Sequence, residues 1–185
     1  GASYFQRREY DEAIPFFEKA VELKPQGALP YNYLALSYYL KRDLDRAMTL
    51  LERGLVFSPT DYTLIVSLGR IKLEKGQAEE GMSLLQKALS MQPHGFEPFL
   101  LMGNHYSSVG QYEKARHMFE AAGEKNPDSF DAWTGIGLTY ASQNQYDKAL
   151  EMFLRAVQIN PTSPAANQNV AGAYYYLKDN EKASK

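Results

Sequence analysis

Few residues in this chain are spaced to do chemistry. His105 and His117 are two imidazoles that could share a metal or a proton if they met. Nothing in their spacing requires them to meet, and a structural or surface role is the expectation for both. The stretch Gly135-Ile136-Gly137 looks like the opening of a dinucleotide loop, but it lacks the third glycine and the preceding strand. Glu79 and Glu80 are paired carboxylates. They begin a helical segment, where they suit the positive end of its dipole better than acid–base work. No serine has a base and an orienting acid assigned by any motif. The chain has no cysteine, which excludes disulfides, thiolate catalysis and Cys-based zinc sites. The sequence therefore predicts a protein that is not an enzyme, with no catalytic residues, no metal and no cofactor.

The chain has 185 residues, with 20 lysines and arginines against 22 aspartates and glutamates, for a formal charge of -2. No basic run builds a nucleic-acid or polybasic membrane patch, and pairs such as Arg7-Arg8 and Lys41-Arg42 read as solvated loop charges. No apolar stretch is long enough to span a bilayer, and no signal peptide is expected at residue 1. The absence of cysteine leaves cytoplasm and periplasm both open.

What organises the sequence is a repeat. Pro25, Pro59, Pro93, Pro127 and Pro161 fall at a constant spacing of 34, a period that signals a helical solenoid. With these prolines at position 32, position 8 reads Gly1, Ala35, Gly69, Gly103, Gly137, Ala171, and positions 20 and 27 also hold only Gly or Ala. Position 24 is always large: Phe17, Leu51, Leu85, Phe119, Phe153. Position 11 is tyrosine except at Lys72, and position 4 runs Tyr31, Ile65, Phe99, Trp133, Asn167. Positions 4, 7, 8 and 11 form one helical stripe, and 20, 24 and 27 another. Each repeat is thus two helices, and a short loop such as Gly110-Gln111-Tyr112-Glu113 makes them antiparallel neighbours. Large residues enter notches left by small ones, which accounts for Gly137 despite the roughly 1 kcal/mol that a glycine costs inside a helix. Ser163 suits an N-cap and Pro164 the first helical position. Lys72 and Asn167 are expected to weaken packing locally.

The run Trp133, Ile136, Gly137, Tyr140, Ala149, Phe153, Pro161 closely resembles the tetratricopeptide repeat signature, and the resemblance covers the whole chain. It implies an all-α fold, a right-handed α-solenoid of antiparallel helix pairs in 34-residue repeats. Complete repeats are expected at 28–61, 62–95, 96–129 and 130–163, with partial repeats at 1–27 and 164–185, in one array.

In that family positions 2, 5, 6, 9, 12 and 13 of the first helix line a concave groove where ligands bind. Here the stripe is apolar and aromatic at first: Leu29, Asn32, Tyr33, Leu36, Tyr39 and Leu40, then Val66, Arg70, Leu73 and Glu74. It turns small and polar later, with Leu101 and Asn104, then Asp131, Gly135 and Leu138. The expected groove contacts are Leu29, Asn32, Tyr33, Leu36, Leu40, Val66, Arg70, Leu101, Asn104, Asp131 and Leu138. Tyr39 and Leu73 read better as packing between neighbouring first helices, Tyr33 and Leu36 as ligand contacts. Gly135 has two open readings, a widened groove floor or neutral drift. The carboxylate clamp of some family members is not matched: position 5 has no lysine, and position 2 carries Glu97 and Asp131. A ladder of asparagines at position 6 is also missing, with only Asn169 in place.

The functional expectation is a scaffold or adaptor that docks a protein or peptide segment with apolar anchors, a basic group of that partner facing Glu74, Glu97 or Asp131. No nucleic acid and no membrane insertion are expected. Two alternatives stay open: a substrate-recognition arm of an enzyme whose catalytic domain lies elsewhere, and a structural scaffold that self-assembles through its ends. The 164–177 segment is read as a first helix whose partner begins near Glu181, and Tyr4 and Phe5 as the tail of another. On that reading the chain is a piece of a longer repeat protein, prone to self-association through uncapped ends.

Overall fold

A computed structural model describes the backbone of residues 1–183 and the side chains through Lys178. All regular elements among the described residues are helices. In order they are α1 (Ala2–Gln6), α2 (Tyr10–Leu23), α3 (Ala28–Leu40), α4 (Leu44–Phe57), α5 (Tyr62–Glu74), α6 (Ala78–Met91), α7 (Glu97–Ser108), α8 (Tyr112–Lys125), α9 (Phe130–Ala141), α10 (Tyr146–Ile159) and α11 (Pro164–Ala183). They gather into two compact units, Gly1–Pro93 and His94–Lys185. Each unit is a stack of antiparallel pairs, α3/α4 and α5/α6 in the first, α7/α8 and α9/α10 in the second.

The proline column ends every second helix the same way. Lys24, Ser58, Gln92, Asn126 and Asn160 each follow a helix with φ between -132° and -138° and ψ between 69° and 91°. The proline ring after each disfavours the helical region for the residue before it, so the helix stops there. The next helix then takes a side-chain cap where one is available. Asp61 accepts from the Leu64 N–H at 2.9 Å, Ser129 from Ala132 at 3.3 Å, and Ser163 from Ala166 at 3.3 Å, with Pro164 opening α11 as expected.

Within a pair the turn is a left-handed residue at one fixed repeat position: Arg8, Arg42, Gly76, Gly110 and Asn144, with φ between 59° and 77°. Two hydrogen bonds close each turn. In the first complete repeat Arg42 N–H donates to Tyr39 C=O at 2.9 Å and Asp43 N–H to Tyr38 C=O at 2.9 Å, the Schellman pattern. Lys178 holds the same position in the last repeat, yet α11 continues through it to Ala183, where sequence reading placed a turn and a new helix near Glu181.

The small and large columns meet as expected. A β-carbon on Gly69 would lie 2.9 Å from the Leu85 side chain, one on Gly103 2.7 Å from Phe119, and one on Gly137 2.5 Å from Phe153. Those distances are below van der Waals contact, so the bare backbone at these sites is what lets the paired helices close. In the first unit Tyr31, Leu34, Ala35, Ala47, Leu51, Leu64 and Leu68 form one buried cluster. In the second, Ala115, Phe119 and Ile136 form one cluster and Ala149, Phe153 and Ala173 another. Each large side chain so buried contributes roughly 1.5–3 kcal/mol.

The two departures from the pattern make polar contacts of their own. Lys72 is buried, with its ammonium 2.6 Å from Glu80, 3.8 Å from Glu52 and 3.3 Å from Gln77 Oε1. Asn167 reproduces the polar contact of the tryptophan it replaces: Trp133 Nε1–H donates to Pro127 C=O at 2.8 Å, and Asn167 Nδ2–H to Pro161 C=O at 3.2 Å.

Candidate functional site

The first helix of each repeat presents the stripe on which binding was expected, and the structure sorts its residues unequally. In the first unit, α3 turns Tyr31, Leu34 and Ala35 into the core. On its other side Leu29 is 66% exposed, Leu40 43% exposed and Leu36 half-buried. Leu29, Leu36 and Leu40 stand at i, i+7 and i+11, so they run along one face of the helix. Asn32, on the same side, accepts a hydrogen bond from Ser67 Oγ at 2.8 Å and ties α3 to α5.

One expected contact, Val66, is turned away from solvent, and another, Tyr33, is half-buried against neighbouring rings. Tyr33 stacks on Phe17 at 5.2 Å between ring centroids, 9° from parallel, and meets Phe5 edge-on at 5.4 Å. Its ring packs on the helix pair before it and stays half-buried, as Leu36 does. Val66 is only 2% exposed, closed off by helix packing. The helical period cannot tell this position from Leu36, because it fixes a face and not the neighbour across it.

The C-terminal ends of α3 and α5 carry a polar cluster. Tyr39 donates its phenol hydrogen to Glu74, Arg42 approaches the same carboxylate at 3.8 Å, and Arg70 also interacts with Tyr39. Burial first, then the Glu74 carboxylate, raises the Tyr39 phenol above its usual range, against a smaller opposing effect of Arg70. Glu74 therefore already has a phenol and a guanidinium beside it and is not the open anion expected for a basic ligand group. Tyr39 bridges neighbouring first helices, as expected. Leu73 packs onto α6, with its side chain 2.8 Å from where a Gly81 β-carbon would stand.

In the second unit Leu138 is 46% exposed, Asn104 and Asp131 are exposed, and Leu101 is half-buried. Asp131 and Leu138 are seven residues apart on α9 and share its face. Gly135, between them, is buried, and a β-carbon there would lie 2.7 Å from the Phe119 ring. It is neither a groove floor nor neutral: it admits the aromatic ring of the preceding repeat.

His105 lies beside the Tyr106 ring, and His117 pairs with Glu120 at 3.4 Å. No group of three His, Asp or Glu side chains able to hold a metal is gathered among the described residues. No helix among them is long and apolar enough to cross a membrane.

Stacked two-helix repeats with small residues in the helix notches, and leucines left open on a first helix, define a helical repeat scaffold of the kind used for protein–protein interaction. Tetratricopeptide repeat models match residues 1–62, 62–94 and 100–164, and the chain belongs to the tetratricopeptide repeat family. Among curated proteins nothing matches. Solved structures do. TTC0263, a thermophilic tetratricopeptide protein of Thermus thermophilus, superposes with a TM-score of 0.82 at 20% identity, over 95% of this chain and 95% of that one. YrrB, a tetratricopeptide protein described as having an unusual peptide-binding site, is 26% identical with a TM-score of 0.63, over 90% and 86% of the two chains. MamA is 21% identical with a TM-score of 0.68, over 86% and 93%. Proteins of this family bind protein or peptide partners, and their repeats are in general non-catalytic.

Proposed function

We propose that this protein is an adaptor that docks an apolar-anchored peptide segment along α3. The observation that carries the reading is the row Leu29, Leu36, Leu40: two leucines exposed and one half-buried on a helix whose opposite side is core. A solvated helix face has no reason to carry them, and contiguous exposed apolar surface marks interaction sites. The partner places two or three apolar side chains against this row. In the second unit, Leu138 with Asp131 suits an apolar side chain followed by a basic one. Affinity is expected on the order of micromolar, because so short a row offers few hot spots.

The test is a peptide selection against the folded protein, followed by calorimetric titration of the selected peptides. Leu36→Ala with Leu40→Ala should weaken binding by about tenfold or more, the effect of losing roughly 1.4 kcal/mol, with an unchanged thermal melt. Equal affinity in the double variant would remove the site from α3.

A second reading, self-association, draws on α11, where Tyr174, Tyr175 and Tyr176 are each about half exposed or more. A sedimentation series that stays monomeric at all concentrations would dismiss it.

A further inference from the structure

The opposite side of the first unit carries a feature that the helix pairing does not use. Between α2 and α4, over α3, lies a cleft of about 660 Å³. One repeat later, beside α5 and α6, lies another of about 410 Å³. The same six repeat positions, 7, 11, 18, 19, 22 and 23, line both. Each has a buried leucine at its base, Leu34 in one and Leu68 in the other, and a half-buried leucine on its wall, Leu50 or Leu84. The clefts are therefore a repeated feature of this unit, one per helix pair.

Their rims are acidic. Glu18, Glu22, Asp45, Glu79 and Glu80 face Arg46, Arg53 and Lys72, and Asp45 is also paired with Lys75, which leaves an excess of one negative charge. The cations are engaged: Arg46 pairs with Asp43 at 3.1 Å, Lys72 with Glu80 at 2.6 Å, and Arg53 lies over the Tyr31 ring. Glu22 and Glu79 are exposed and have no ion-pair partner among the described residues.

We propose that these two clefts form a second binding surface, for an extended segment with two apolar anchors flanked by lysine or arginine. The apolar bases take the anchors, and Glu22 and Glu79 take the flanking cations. Neighbouring packed helices lie about 8–10 Å apart, and an extended chain advances about 3.3 Å per residue. Anchors three residues apart therefore reach both clefts. The surface is separate from the leucine row of α3, so either site can fail without the other.

The probe is a fluorescein-labelled peptide, Lys-Leu-Lys-Lys-Leu-Lys, titrated into the whole protein by fluorescence anisotropy at low salt. Two control peptides replace its leucines by serine or its lysines by glutamate. The leucine–lysine probe should bind, and both controls should bind at least tenfold more weakly. Glu22→Lys with Glu79→Lys, both exposed, should weaken the probe about tenfold or more, with the fold of the variant checked by circular dichroism because Glu79 lies in the first turn of α6. Leu36→Ala with Leu40→Ala should leave it unchanged. The proposal is overturned if the probe does not bind, if the serine peptide binds as well, if charge reversal has no effect, or if the α3 variant loses the probe instead.

Discussion

Gly135 gives way to Phe119: a β-carbon on the glycine would stand 2.7 Å from the phenylalanine ring of the preceding repeat. The same ring lies 2.7 Å from the corresponding point on Gly103, within its own repeat. Phe119 is thus seated between two bare backbones, one at position 8 of its helix pair and one at position 6 of the next.

Gly135→Ala is therefore expected to destabilise the protein by about 1–3 kcal/mol, the usual cost of overpacking, although alanine is the better helix former by about 1 kcal/mol. Gly172→Ala is the internal contrast. Nothing lies within 4 Å of the added β-carbon there, and it should stabilise by up to about 1 kcal/mol. Urea melts of the two variants should move in opposite directions, and a shared direction would contradict the wedge.

Arg42 holds a left-handed conformation, φ 67°, that Gly76 and Gly110 hold at the same repeat position. An L side chain there costs roughly 1–2 kcal/mol relative to glycine. Its ion pair with Glu74 is long and its guanidinium mostly exposed, so losing it costs little. Arg42→Gly should raise stability by about 0.5–1 kcal/mol, read as a higher denaturant midpoint with an unchanged slope. A lower midpoint would mean that the Glu74 contact outweighs the backbone strain.

Tyr39 links pH to the α3–α5 contact. Its folded pKa is raised, so its contribution is complete below the unfolded value of about 10. That contribution is lost as pH rises through the higher folded value. Tyr39→Phe should cost about 1 kcal/mol near neutrality, and the gap between variant and parent should close above pH about 10. A gap that widens on the alkaline side would refute the Glu74 pairing as its source.

The sequence by itself determined the two-helix repeat and its punctuation. Prolines 34 apart, the Gly/Ala column facing Phe119 and Phe153, and Ser163 before Pro164 are local or strictly periodic signals, and the helices begin and end where they require. Exposure of Leu29, Leu40 and Leu138 also follows from the period, since each lies away from the packing stripe. What the tertiary structure decided is which side chain each residue meets across a seam. Val66 shares the helical face of Leu36 but is covered, Tyr33 stacks on Phe17, Gly135 receives a ring from another repeat, and Glu74 is engaged by Tyr39. The reason is geometric: a period of about 3.6 residues fixes the direction of a side chain about its own helix, whereas burial depends on the size and reach of side chains on other helices, a repeat or more away in sequence.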